Sequence, residues 1–290
     1  MPAKHALLES PHVSLSLAPD VRRGILTRRT FRTFERRPIP AELSTSVLDA
    51  ARWAPAAGDS EPVRFIVIDD PALKKQLFRL ARESKDISNH WEPLFRSSGL
   101  RGYVQDWTHT PFCVAVCVDP SAVPKHVHHG WSHRLAGAAA SQNLALAARY
   151  HGMAMVMYTH FSQEKLKQLL DVPFEWDVDG VMGIGFPDLR RINPRVLEVS
   201  LIRLSLGELV SSERHGDPAP KELTEERATP AAVPDLMATM LGLRTTTRFT
   251  GAPVPDDDAF DVLRAGQWAP SAGNFRGRLR HRSESDSETS

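Results

Sequence analysis

Residues 28–62 read R-R-T-F-R-T-F-E-R-R-P-I-P, then A-E-L-S-T-S-V-L-D-A-A-R, then W-A-P-A-A-G-D-S-E-P. Arg28, Arg29, Thr30 and Arg32 place three guanidiniums and a hydroxyl within five residues. Guanidiniums grip phosphate bidentately, and a hydroxyl adds a short directional bond. At the far end Pro55 stops a helix, and small residues follow that let a flat ligand approach the backbone. The apolar run from Phe65 to Ile68 then reads as a strand. Phosphate at one end and a flat ring near the other is what a nucleotide-like cofactor requires.

These motifs, in this order, resemble the nitroreductase family of flavoenzymes. Arg28, Arg29, Thr30, Arg32 and Phe34 fill the family's opening pattern, R-[RH]-[ST]-x-[RK]-x-F. Pro38, Pro40 and Leu43 fill the next segment, and Trp53, Ala54, Pro55, Ser60 and Pro62 sit in the third. The resemblance runs from about Val21 to Leu201. It implies an α+β, nitroreductase-like fold, a central and mostly antiparallel sheet flanked by helices, in a domain-swapped homodimer. It implies FMN as cofactor and NAD(P)H as reductant. The reaction would pass hydride through the flavin to a small organic acceptor, a nitro compound or quinone, in ping-pong order.

By the same resemblance Arg28, Arg29, Thr30 and Arg195 hold the phosphate and ribityl chain. Arg32 sits near N1 and the C2 carbonyl, where a cation favours the negative charge of reduced flavin. Pro55, Ala56 and Ala57 line the ring from the neighbouring subunit, with Asp59 and Glu61 beside them. Thr159 and His160 lie near the other ring edge. The flavin carries the chemistry, so no protein nucleophile is needed. Asp59, Glu61 and Val63 stand where the family has Asn, Gln and Trp. Two amide donors have thus become carboxylates, which cannot donate and which disfavour an anionic ring. A degenerate flavin-binding or supporting subunit, or a biosynthetic flavin oxidase or dehydrogenase on the same fold, therefore stays open beside the reductase.

The rest of the chain fits an ordinary globular protein. Hydrophobic residues make up 41% of its 290 residues and the net charge is +1. That balance gives no reason to expect nucleic acid or an acidic membrane as partner. No signal peptide or membrane span is read, and the cytoplasm is the expected location. Cys113 and Cys117, four apart on one strand, lie roughly 13 Å apart and read as buried thiols, not a disulfide. His126, His128, His129 and His133 lack the Cys or acidic neighbours of a metal centre, and no metal is expected.

Periodicity predicts helices over 18–27, 41–53, 71–83, 131–151 and 163–170, and strands over 65–68, 112–118, 154–158 and 180–185. Residues 84–106 are polar and aromatic and read as a lid facing substrate. The Ala-rich stretch 135–148 resembles the family's dimer-forming helix. Residues 196–204 read as an arm reaching the partner.

The opening motif returns near the end, as L-R-T-T-T-R-F-T-G-A-P-V-P and then W-A-P-S-A-G-N, displaced by 215 residues. Thirteen of the 30 residues from Arg29 to Gly58 are identical to their counterparts. That reads as a duplicated domain whose second copy stops after Asn274. The expected organisation is an arm at 1–18, an FMN-binding domain at 19–210 and a linker at 211–234. A truncated second repeat at 235–277 and a disordered tail at 278–290 follow.

Overall fold

The computed structural model describes residue 18 and residues 20–91, 105–126, 130–191, 205–221 and 234–270. Four strands form one sheet: β1 (Val63–Ile68), β2 (Phe112–Val118), β3 (Ala154–Tyr158) and β4 (Asp177–Gly185). Their spatial order is β1-β2-β4-β3, and every neighbouring pair is antiparallel.

Every residue of β2 is buried, so both faces of the sheet are covered. The two-residue side-chain period divides that strand between two cores. Phe112, Val114 and Val116 face one core with α2 (Ala41–Arg52) and α4 (Ser132–Tyr150). Cys113, Ala115 and Cys117 face the other, with α3 (Pro71–Trp91) and α5 (Gln163–Leu170). Small residues bring α2 and α4 close: Ala50 and Ala51 meet Ala140, Ala147 and Ala148 in one cluster. Asn143 Nδ2 donates to the Ala50 carbonyl at 2.9 Å across that seam. Burial pushes the two free thiols, Cys113 and Cys117, up to about 12 and about 11. They stay protonated and pack.

The pairing of β2 with β4 slips between Val116 and Cys117, whose partners are Gly180 and Val178. Asp179 is the extra residue of this bulge, and a bulge re-aims the side chain it carries. A Cβ on Gly137 would stand 1.8 Å from Asp179 Oδ2, so glycine lets α4 pass over the carboxylate.

Helix α1 (Val21–Thr27) begins at Asp20, whose carboxylate accepts from the Arg23 N–H at 2.6 Å. The core does not stop near Val210. Beyond a short turn, α6 (Leu206–Leu209), helix α7 (Leu236–Gly242) buries Leu236 and Met240 in the same cluster as α2 and α4. Gly24 on α1 makes room for it, since a Cβ there would meet Leu236 Cδ2 at 2.5 Å. Helix α8 (Asp256–Gln267) lies over α1 and α6, with Phe260 buried and Asp261 3.6 Å from Arg22.

Helix α3 continues past the expected end at residue 83 as far as Trp91. Residues 92–104 of the expected lid, the arm at 196–204 and the tail lie outside the described residues. Among the described residues no helix is long and apolar enough to cross a membrane.

Candidate functional site

The arginine segment leaves α1 in extended conformation, Arg28 having φ −61° and ψ 126°. Thr30 then forms a parallel bridge with Met155 of β3, and Phe34 an antiparallel one with Pro187. The Glu35 N–H donates to the Phe186 carbonyl, and the Asp188 N–H to that of Thr33. Phe34 is seated on Gly185, where a Cβ would come within 3.0 Å of its ring. These contacts hang the segment on the β3 edge of the sheet.

Arg28 and Arg29 are buried there, at 7% and 3% exposure. With Thr27, Phe31, Arg149 and Met155 they line a cavity of about 10 Å³, room for one water. Arg149 comes from the last turn of α4, and its Nε donates to Thr27 Oγ1 at 3.0 Å. Burial pulls the Arg28 and Arg149 guanidiniums down to about 10, Arg23 adding to the effect at Arg149. Both remain cations at neutral pH. Arg28 Nε is buried with no hydrogen-bond partner among the described residues. Burying a cation without a counter-charge is expensive, so this donor set fits an anion such as a phosphate. Arg149 and Thr27 were not singled out by the motifs. The only signal was an arginine at the end of a helix otherwise rich in alanine.

Arg32 continues the same edge, and its carbonyl accepts from Gln105 Nε2 at 3.3 Å. That bond ties the end of the lid region to the arginine segment. Thr159 and His160 follow β3 and are exposed; His160 Nε2 lies 3.2 Å from the Ser84 carbonyl. Arg195 lies outside the described residues.

Pro55, Ala56, Ala57, Asp59 and Glu61 are elsewhere. They form the loop between α2 and β1, the strand at the opposite edge of the sheet. Three strand spacings separate the edges, about 14 Å. Gly58 and Asp59 both take left-handed conformations, with φ 64° and 54°. Asp59 and Glu61 are exposed. Arg64 does not pair with either carboxylate; its Nη1 donates to the carbonyls of Glu61 and Val63. The structure thus assembles the arginine half of the expected site and sets the ring-lining half apart from it.

Among the described residues no group of three His, Cys, Asp or Glu could hold a metal. His133 Nε2 instead lies 3.0 Å from Asp177 Oδ2, which also accepts from Arg134 Nε at 2.8 Å. His128 and His129 lie outside the described residues.

An antiparallel sheet between helices, with a buried arginine cluster beside one edge strand, defines an α+β protein. Residues 25–186 match the model of the Nitroreductase family, so the chain belongs to that family of flavin-dependent oxidoreductases. It is 28% identical over 167 residues to a protein of Archaeoglobus fulgidus provisionally named an NADH dehydrogenase/NAD(P)H nitroreductase. That match covers 56% of this chain and 83% of the relative. It is 25% identical over 174 residues to an iodotyrosine deiodinase of Thermotoga neapolitana, covering 56% of this chain and 85% of that one. Among solved structures, nitroreductase A of Vibrio parahaemolyticus shares the fold, with a TM-score of 0.50 and 17% identity. The overlay covers 68% of this chain and 77% of that structure.

Proposed function

We propose that this protein is an FMN-dependent oxidoreductase that takes reducing equivalents from NAD(P)H and delivers them to a small organic acceptor. The observation that carries this is the Arg28 guanidinium, buried and, among the described residues, unpartnered at Nε, in a cavity it shares with Arg29, Arg149 and Thr27. Within a flavoenzyme family, the anion such a pocket takes is the cofactor's phosphate. The closed cavity is smaller than a phosphate, so the arginine side chains move outward to admit one.

In this reading Arg28 and Arg29 hold the phosphate, with Thr30 and Arg195 extending the grip along the ribityl chain. Arg149 adds a third cation from α4. FMN held there would supply the hydride-transfer chemistry between NAD(P)H and the acceptor, in ping-pong order. Arg32 would stabilise negative charge on the reduced cofactor, and Thr159 and His160 would help to hold it. The acceptor is a nitro compound, a quinone or a similar small molecule, selected by the lid region.

A complete site also needs the ring-lining half, Pro55 to Glu61 or its equivalent, and the sheet keeps this chain's own loop at the far edge. A second copy is one source. Trp131, just before α4, and Leu135 on it stand exposed at 59% and 57%, with Ala138 exposed one turn on, as a homodimer surface requires. The chain's C-terminal repeat is another source. The two buried, free cysteines accord with a reducing, cytoplasmic setting.

Titration of FMN and riboflavin into wild type and Arg28→Ala, followed by flavin fluorescence, tests the reading. Losing one charge-assisted contact weakens FMN by about 10- to 150-fold and leaves riboflavin little changed. A wild type indifferent to the phosphate contradicts it.

A further inference from the structure

Helices α1 and α7 each have seven residues, and their positions differ by 215, the displacement of the repeated motif. Each begins at an aspartate whose carboxylate caps the third residue on, Asp20 to Arg23 and Asp235 to Ala238. Helices α2 and α8 each have 12 residues, start after a proline and end at a tryptophan in the same backbone conformation. The correspondence thus extends upstream of the repeated motif itself.

The two sets meet one another reciprocally. Asp20 forms an antiparallel bridge with Asp235, its own counterpart. The Arg29 guanidinium lies 4.3 Å from the centre of the Trp268 ring. The Arg244 guanidinium lies 4.7 Å from the centre of the Trp53 ring. Arg244 is the counterpart of Arg29, and Trp268 of Trp53. Bridging of equivalent residues and exchange of equivalent partners are the signature of a two-fold relation, the kind that relates subunits of a homodimer. Here it operates inside one chain.

We propose that the C-terminal repeat occupies the place of a partner subunit's opening segment, so that the FMN site is completed in cis. This rests on the reading of the arginine pocket as the cofactor's phosphate site. Trp268, the counterpart of the tryptophan that precedes the first copy's loop, is packed on Arg29 at 6% exposure. The packing has been re-purposed to match. Val47 is fully buried against α4, whereas its counterpart Val262 is 71% exposed, no helix like α4 covering α8 among the described residues. The reciprocal half-site, around Trp53 and Arg244, has Leu243 in place of Arg28 and lacks that phosphate contact. Each chain therefore carries one working site.

The test uses the full chain and two tryptophan variants, Trp268→Leu and Trp53→Leu, each keeping an apolar side chain. Affinity for FMN is measured by fluorescence titration, thermal transitions check folding, and sedimentation of the FMN-loaded protein gives its mass. The cis site predicts one FMN on a single-chain species. Trp268→Leu weakens FMN about 3- to 30-fold, the worth of a cation–π contact, and Trp53→Leu changes it less than twofold. If Trp268→Leu does not fold, Trp268→Phe, which keeps the aromatic face, retains most of the affinity. Sensitivity to Trp53→Leu alone, with FMN only on a two-chain species, overturns the cis site and leaves the FMN reading standing. A wild type that binds no FMN overturns both.

Discussion

Asp20 bridges Asp235, and with that bridge α7 lies against α1 and α4 instead of trailing from a linker. The Val21 N–H donates to the Pro234 carbonyl at 3.0 Å beside it. Leu236, 1% exposed, then fills the hollow over Gly24. Docking by packing of this kind has a measurable strength. Leu236→Ala should cost about 2–5 kcal/mol of stability in denaturant titration. Gly24→Ala alone should cost less, since the atom it meets is the far end of a leucine side chain. The double variant should cost less than the two summed, because the new methyl enters the space that Leu236 leaves. Additive losses would place the two residues in separate environments.

Arg28 should be a liability to the apo protein. Among the described residues no counter-charge pairs with its buried guanidinium, so Arg28→Met relieves desolvation and keeps the packing. We expect a gain of about 1 kcal/mol in apo stability and a Tm higher by about 2–4 °C. FMN affinity falls at the same time. A lower apo Tm would mark Arg28 as a structural ion-pair partner instead.

Asp179 should tie stability to pH. Burial pushes its carboxyl up to about 6 from 3.8, Asp177 adding to the effect, while Arg134 and His133 oppose it. A folded-state value above the unfolded one gives stability that is present below about pH 4 and lost as pH rises through 6. Asp179→Asn should therefore be more stable than wild type at pH 7.5, by about 1–2 kcal/mol at this half-buried position. The advantage should vanish near pH 4. Thermal melts across that range check it, and a pH-independent difference would assign the effect to packing against Gly137.

The carboxylates of the first ring-lining loop lend themselves to a direct exchange. If Asp59 and Glu61 face a flavin, Asp59→Asn with Glu61→Gln should raise its reduction potential, since two negative charges leave the reduced ring. Asn is well tolerated at the left-handed φ of position 59, so folding should be unaffected. An unchanged potential in a dye-coupled reductive titration would mean that this loop lies away from the flavin, as the cis site requires.

Local pattern was enough for most of the fold. The run F-C-V-A-V-C-V could only be a strand buried on both faces, and its observed bounds are those expected. The arginine segment was equally legible, because it concentrates donors where no helix or strand uses them. What sequence did not reveal depends on contacts between distant residues. Helix α7 shares with α1 only the leucine at 26 and 241, so no motif announced it as a counterpart. Its role emerges from Leu236 seated over Gly24. Arg149 looked like one more cation at a helix end until Thr27 and Arg28 were brought against it. The bulge at Asp179 arises from strand register, which is fixed by pairing across the sheet.

The most direct test of the central claim is anaerobic addition of NAD(P)H to the purified, FMN-reconstituted protein, followed in the visible spectrum. The account predicts a yellow protein with one FMN per chain that bleaches on NAD(P)H and recovers its colour when a nitroaromatic compound or quinone is added. A protein that stays colourless with excess FMN, or a yellow one that NAD(P)H leaves unbleached, would contradict it.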